Sequence, residues 1–342
     1  MTTGAEIPTD LQDDLRTAMA IELTTIPPYL YAYWSIRSPA EGGSAAAEAA
    51  ATIIRSVVME EMLHMGLVAN VLNAAGGTPA LTINVPEYPA HLFRPPARLS
   101  RPPGPGQLSH PVALGPSGIL VRLLPFGAEA KELFLRIELP QWDASDSSNR
   151  IEYWDPDVNT IGEFYDKVII PKLKGPGVTY DSGGRRQLPS QDNPGAGKLI
   201  NVTRLSDALN AIGVIKEQGE GTEKEPNDTF HELAHYYKFQ SIDLGALGAD
   251  DIYNVAADPK ARDYSGAQLA LNAGFNTTYS VLLDRLQEIV TSDDPDVFFD
   301  ATGLMDELGH QAALLRNAGR VAGSGAMPGP TFHYLPPEQR QS

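Results

Sequence analysis

Residues 57–68 read VVMEEMLHMGLV, an apolar run that contains two adjacent glutamates and a histidine. Glu61 and His64 stand three positions apart in an otherwise apolar run, so on a helix their side chains share one face. An ionised glutamate in such surroundings must be paired or must bind a metal. The pattern E-x-x-H is the half-site of a dinuclear carboxylate protein, in which a four-helix bundle supplies two such motifs and two further glutamates. Glu60 points about 100° away on the helix and is expected to face solvent or to contact a metal ligand.

The E-x-x-H pattern recurs along the chain. Three of the seven histidines follow a glutamate by three positions, against roughly 0.4 expected from composition. The second pair is Glu232 and His235, in HELAHYYKF. A third pair, Glu307 and His310, is expected on a helix surface, because two half-sites already complete a dinuclear centre.

Two further glutamates are needed. Glu22 lies in the apolar stripe of the first helix, AIELTTIP. For the remaining position we prefer Glu163 in TIGEFYDKVII, with Glu217 in VIKEQGEG as a competitor that either binds metal or hydrogen-bonds a ligand. Glu138 in FLRIELP is assigned to a salt bridge with Arg136 or another arginine. The predicted metal-binding residues are Glu22, Glu61, His64, Glu163, Glu217, Glu232 and His235.

A second interpretation of HELAHYYKF is a mononuclear zinc site. His231, Glu232 and His235 match H-E-x-x-H, the pattern of a zinc hydrolase helix. The extended form of that motif needs Gly and His where Lys238 and Ser241 stand. The zinc interpretation also leaves Glu61 and His64 without a role. We therefore prefer a dinuclear centre and keep the zinc site as the alternative.

Composition limits the chemistry. The 342 residues include no cysteine, which excludes thiolate zinc sites, iron–sulfur clusters and cysteine nucleophiles. Oxygen and nitrogen ligands suit Fe, Mn and Zn. A net charge of −17 argues against nucleic acid as a partner. The acidic N-terminus and the lack of a run of about 18 apolar residues predict no signal peptide, no membrane partner and a cytoplasmic location.

The elements are predicted to form one domain over residues 1–342. Pro27 and Pro28 interrupt the first helix and free carbonyls beside Glu22, so a kink is expected to open a substrate pocket lined by Tyr29 and Tyr33. Aromatic core packing is the alternative for these tyrosines. The predicted elements are core helices at about 9–37, 44–75, 159–173 and 205–244, a Pro-rich insertion with short strands at 78–127, and C-terminal helices within 266–318. The region 205–244 is predicted to contain two helices, over 205–218 and 228–239, with a break between them.

Several stretches together resemble a known family. The chain is similar to ferritin-like proteins related to the N-terminal ferritin-like region of iminophenyl-pyruvate dimer synthase, from bisindole pigment biosynthesis. The matching stretches run in order over about 15–335: AIELTTIPPYLYAYWSI, EEMLHMGLVANVLNAAGG, FLRIELPQ, TIGEFYDKV, IKEQGEG, ELAHYYKF and PGPTFHYLPP. The resemblance implies a ferritin-like four-helix bundle with a carboxylate-bridged metal centre. The pigment enzymes are much longer, so their imine-coupling activity is not carried over.

These observations predict a non-haem oxidoreductase with two metal ions, Fe or a Mn/Fe pair. Its expected partners are O₂ or peroxide, an electron donor, and a small, amino-acid-derived substrate of a natural-product pathway. An iron-binding or ferroxidase protein without an organic substrate is the alternative in the same fold. The long insertions predict a small assembly, a monomer or homodimer, rather than a ferritin cage.

Overall fold

Helices dominate the computed structural model. It describes residues 7–83, 85–92, 119–141, 160–180, 186–189, 192–193, 197–221, 227, 232–292 and 296–340. The fold is a helical bundle with a few short strands and further helices toward the C-terminus, which confirms the predicted fold class.

Two long helices form the centre of the bundle. Helix α1 spans Thr9–Ser35 and helix α2 spans Ala45–Ala74, with a single 3₁₀ turn at Pro39–Glu41 between them. Their apolar faces pack on each other along their length, because each helix has buried positions throughout. Both prolines of α1 lie inside one continuous helix. The Thr24 carbonyl that Pro28 leaves without a helix partner accepts a hydrogen bond from the Tyr88 hydroxyl at 2.8 Å.

Three shorter helices surround this pair. Helix α3 (Ala128–Ile137) packs on α7 (His235–Ser241), and α6 (Leu205–Glu220) packs on α2 and α7. The two helices predicted within 205–244 are both present, but the second begins at His235 rather than at Asp228. Helix α6 is followed by Gly221, whose φ of 80° suits glycine.

The segment predicted as a helix at 159–173 is helical with an irregular centre. Helix α4 (Ile161–Phe164) leads into a π-helical turn at Tyr165–Ile169 and then into α5 (Ile170–Leu173). A π-helical turn is rare and often lies at a functional site. Here it places the Tyr165 side chain against Glu22 of α1.

The C-terminal part adds a helix pair. Helices α8 (Gly266–Thr291) and α9 (Asp296–Arg316) pack on each other and reach α1 and α2. Strands β1 (Ala90–His91) and β2 (Leu120–Val121) pair, as do β3 (Asp192–Asn193) and β4 (Gly197–Lys198). Most of the predicted Pro-rich insertion lies outside the described residues. Within the described part of the chain, no helix combines the length and apolar character that a bilayer crossing requires.

Candidate metal centre

The first group of candidate ligands joins α1 and α2. Glu22, Glu61 and His64 are each 2% exposed. Each contributes one ligand atom to a set that lies within 4.8 Å. The Glu22 Oε2 atom is 3.6 Å from His64 Nδ1. This is a carboxylate–carboxylate–imidazole set of the kind that holds a divalent metal.

The second group reuses Glu61. It adds Glu138, the residue that follows α3, and His235, the first residue of α7. The His235 Nδ1 atom lies 2.9 Å from Glu61 Oε1 and 3.4 Å from Glu138 Oε2. Glu61 therefore belongs to two adjacent groups, as a bridging carboxylate would. The two imidazole rings stack with their centroids 5.3 Å apart.

Both histidines direct Nδ1 to the cluster and Nε2 away from it. The Nε2 atom of His64 is 2.9 Å from the Gln218 amide oxygen. The Nε2 atom of His235 is 2.7 Å from Glu60 Oε2, and Lys238 pairs with the same carboxylate. Such outer contacts fix the ring orientation of a metal ligand.

The carboxylates are also held from outside the cluster. The Tyr165 hydroxyl donates to Glu22 Oε1 at 2.7 Å, and the Tyr29 hydroxyl donates to Glu138 Oε1. The Thr25 hydroxyl lies 3.0 Å from Glu61 Oε2. Each candidate glutamate thus has one oxygen engaged by a hydroxyl and another directed at the cluster.

Burial and crowding shift the protonation of these groups. Burial and then the charge of Glu138 raise the pKa of Glu61 well above its ordinary value. Burial opposes the charged form of His235, but Glu138, Glu60 and Glu61 together raise its pKa well above its ordinary value. Burial also acts to raise the pKa of Glu22, yet hydrogen bonding and attraction from His64 lower it overall.

The residues fit a pair of cations. The His235 Nδ1 atom is fully buried and has no hydrogen-bond partner among the described residues, although two carboxylate oxygens lie nearby. The three ligand atoms of each group lie within 4.8 Å of one another, which is close enough for one cation to contact all three. Three buried carboxylates facing one point need cations or protons to offset their repulsion.

Three predicted ligands lie elsewhere. Glu163 pairs with Lys167 one turn along its own helical segment, at 2.9 Å. Glu232 is exposed, because it precedes α7 and is not on the helix that begins at His235. Glu217 is half-buried and belongs to neither group, while the next residue, Gln218, contacts His64. Glu163 and Glu217 are helical as predicted and Glu232 is not, but neither group of candidate ligands includes any of the three.

Glu138 occupies the position that the sequence analysis gave to Glu163 or Glu217. Its assignment to a salt bridge with Arg136 or another arginine was wrong, because the Glu138 carboxylate contacts the Tyr29 hydroxyl and His235. Arg136 is also two residues away, and residues two apart point to different sides of a helix. Arg136 is exposed, whereas Glu138 is 5% exposed. The two-residue spacing between Arg136 and Glu138 was the sequence signal that argued against a salt bridge between them. Glu60 is buried and contacts His235, which excludes the solvent-facing alternative.

The mononuclear zinc geometry is not formed. The motif requires His231 and His235 on one helix, but α7 begins at His235 and Leu233 forms a bridge with Asn227. His231 itself lies outside the described residues. The third E-x-x-H pair, Glu307 and His310, is exposed on α9, as expected.

A small cavity of about 20 Å³ adjoins the cluster. Glu22, Glu61, His64 and Glu138 form one side of it, and Glu220 is among the residues of the other. A volume of this size admits about one water-sized molecule. Tyr33, predicted beside the metals, instead lines a separate groove near α9.

A helical bundle with two carboxylate–histidine groups that share one glutamate defines the class of protein. This chain belongs to the ferritin-like family, whose model, described as Ferritin-like, matches residues 15–244. It is similar to the solved structure of a ferritin-like protein from Caulobacter vibrioides, with a TM-score of 0.61 and 20% identity over 96% of this chain and 98% of that chain. At this identity the likeness shows the fold alone. No curated protein matches the chain.

Proposed function

We propose that this protein is a non-haem dinuclear metal oxidoreductase that uses iron, or manganese with iron, to react with O₂ or peroxide. The observation that supports this function best is the sharing of Glu61 between the group of Glu22 and His64 and the group of Glu138 and His235. A cluster of carboxylate and imidazole donors suits these metals.

The metal pair, when bound, supplies the electrons for reduction of O₂ or peroxide. The chain supplies the environment. Glu22, Glu61 and Glu138 offset the charge of two divalent ions, and burial keeps bulk water from them. Tyr29 and Tyr165 hold two of the carboxylates by donating hydroxyl hydrogen bonds, which fixes the ligand atoms in advance.

A small organic molecule derived from an amino acid is the proposed substrate, with an external electron donor or peroxide as the partner. The resemblance of several stretches to the ferritin-like region of iminophenyl-pyruvate dimer synthase supports a natural-product pathway. The proposed assembly is a monomer or a homodimer. Light scattering tests this by measuring the molecular mass in solution.

A ferroxidase is the second candidate, and one observation favours it. The cavity beside Glu22 and Glu61 is about 20 Å³, which suits O₂ or water better than an organic substrate. Oxygen uptake separates the two functions. Uptake that stops when bound Fe²⁺ is consumed supports a ferroxidase. Continued uptake with reductant and an amino-acid-derived compound supports an oxidase.

The first test of the proposal is the metal content per chain after anaerobic loading with Fe²⁺. The wild type should bind two equivalents. Glu61→Gln should bind less than one, because both groups lose a ligand. Glu138→Gln should bind about one equivalent, because only the group of Glu61, Glu138 and His235 loses a ligand. Glu163→Gln and Glu232→Gln are matched controls outside the cluster and should retain two.

Two results would contradict the proposal. One is an undiminished metal content in Glu61→Gln together with loss in Glu232→Gln. The other is a single equivalent of zinc that iron supplementation does not replace, because this result supports the mononuclear zinc alternative.

A further inference from the structure

A second cavity lies away from the metal cluster. It is a groove of about 360 Å³ between α2 and α9, with the end of α1 as its floor. We call it the α2–α9 groove. Small side chains at Ala51 of α2 and at Gly309 and Ala313 of α9 leave it open. Its volume is in the range of small-molecule sites. None of its lining residues belongs to the two metal-binding groups.

The groove has an unusual charge for this protein. The chain has a net charge of −17, yet Arg37, Arg55 and Arg316 all line this one groove. Glu41 and Glu48 are the acidic groups that line it. Glu41 is engaged by Arg316 at 2.6 Å. The local surplus is therefore positive, which favours an anion.

Arg37 and Arg316 are fixed in orientation at the wall of the groove. The Nε atoms of Arg37 and of Arg316 are buried and have no hydrogen-bond partner among the described residues. Arg316 is 7% exposed. The guanidinium groups of both residues lie over the Tyr253 ring, at 4.1 and 3.7 Å from its centroid, which fixes their orientation. Because neither Nε atom is accessible from the groove, a ligand there can reach only terminal guanidinium nitrogens. Those of Arg316 already donate to the Trp34 carbonyl and to Glu41. Arg37 is half-buried, so it is the arginine of this pair that a carboxylate can bind.

The same groove has a flat aromatic wall. Tyr33 and Trp34 line it. Trp34 is held in place because its ring stacks on Phe332 with an interplanar angle of 4° and meets the edge of Phe275. A rigid indole beside oriented guanidinium groups is suited to a ligand that has both a planar ring and an anionic group.

We propose that the α2–α9 groove is a binding site for a small aromatic carboxylate. The carboxylate accepts hydrogen bonds from the terminal guanidinium nitrogens of Arg37. Arg55 and Arg316 add positive charge. The ring lies against Trp34 and Tyr33. This site is independent of the proposed metal chemistry, because it shares no residue with the cluster.

Titration calorimetry with phenylacetate tests this assignment. Phenylacetamide is the neutral control and cyclohexylacetate is the control without a planar ring. We expect phenylacetate to bind and each control to bind about tenfold or more weakly, since a charged hydrogen bond contributes about a factor of ten. Metal-free and metal-loaded protein should both bind, so failure of the metal proposal would not remove this signal.

Variants locate the site. Arg37→Gln and Arg55→Gln should each weaken phenylacetate binding, by about tenfold or more for Arg37, which supplies the hydrogen bonds to the carboxylate. Arg55 is exposed, so its variant should fold normally. Arg204→Gln is the matched control, because Arg204 is an exposed arginine at the start of α6. Equal binding of acid and amide, competition by sulfate at equal strength, no binding at millimolar phenylacetate, or equal effects of the Arg55 and Arg204 variants would each overturn the proposal.

Discussion

Glu220 shows how a single residue links three segments beside the cluster. Its Oε1 atom accepts the Gly162 N–H at 2.8 Å, and its Oε2 atom accepts the Gln141 N–H at 3.2 Å. A Cβ atom at Gly162 would lie 2.5 Å from these oxygens, so only glycine leaves room for the contact. Burial raises the pKa of Glu220 from 4.5 to about 7, although these hydrogen bonds oppose the shift.

This raised pKa predicts a pH dependence of stability. Because the folded protein holds the proton more tightly than the unfolded chain, the contribution of Glu220 is most favourable below pH 4.5 and is lost as pH rises through about 7. The loss amounts to about 3 kcal/mol, at about 1.4 kcal/mol per pKa unit. Denaturant unfolding of the wild type and of Glu220→Gln from pH 5 to pH 8 measures it. The wild-type curve should fall relative to that of the variant, and parallel curves would contradict the prediction.

The sequence identified some residues of the cluster and missed others, depending on whether the residue lies on a long amphipathic helix. Glu22, Glu61 and His64 lie on long amphipathic helices, where periodicity fixes the face that a side chain occupies. Glu138 stands at the end of a short helix and contacts His235, which is distant in sequence. No local pattern brings those two residues together, so only the tertiary structure identifies the pair.

At the scale of elements, α1 shows how a proline-containing helix is completed from outside. The Thr24 carbonyl is fully buried and depends on the Tyr88 hydroxyl. Tyr88→Phe should lower the free energy of unfolding by about 1–3 kcal/mol, because a buried carbonyl loses its partner. Tyr180→Phe is the control, since Tyr180 also donates to a backbone carbonyl, that of Leu173, but is only half-buried. Chemical denaturation of both variants tests the difference, and equal losses would argue against the role of burial.

The elements themselves were predicted unequally. Long apolar patterns gave α1 and α2 to within about two residues of their ends. The break predicted within 205–244 is present, but the second helix, predicted from Asp228, begins only at His235. That late start removes Glu232 from the face of His235. An E-x-x-H pattern predicts a shared face only if both residues are helical.

At the scale of the whole molecule, metal binding should control stability. The cluster joins α1, α2, α3 and α7, so bound metals would tie four helices together. A ligand that binds only the folded state at 100 times its Kd stabilises by about 2.7 kcal/mol. Removing the metals should therefore lower the Tm by about 4 °C, and reloading with Fe²⁺ should restore it.

Scanning calorimetry with and without a chelator makes this measurement. Glu61→Gln is the matched control, because it removes the ligand common to both groups and should show no metal-dependent change in Tm. A wild-type Tm that does not respond to chelation or reloading would argue against metals as a link between the helices.

The outer contacts of the two histidines would make the two metal positions of the proposed dinuclear centre electronically different. His64 meets the neutral amide of Gln218, whereas His235 meets the carboxylate of Glu60. A carboxylate makes the imidazole opposite it a more basic donor than an amide does. The position beside His235 should therefore fill first and stabilise the higher oxidation state. Two ions held in this way would be chemically unequal even if they were the same element, and a mixed-metal pair would have a preferred orientation.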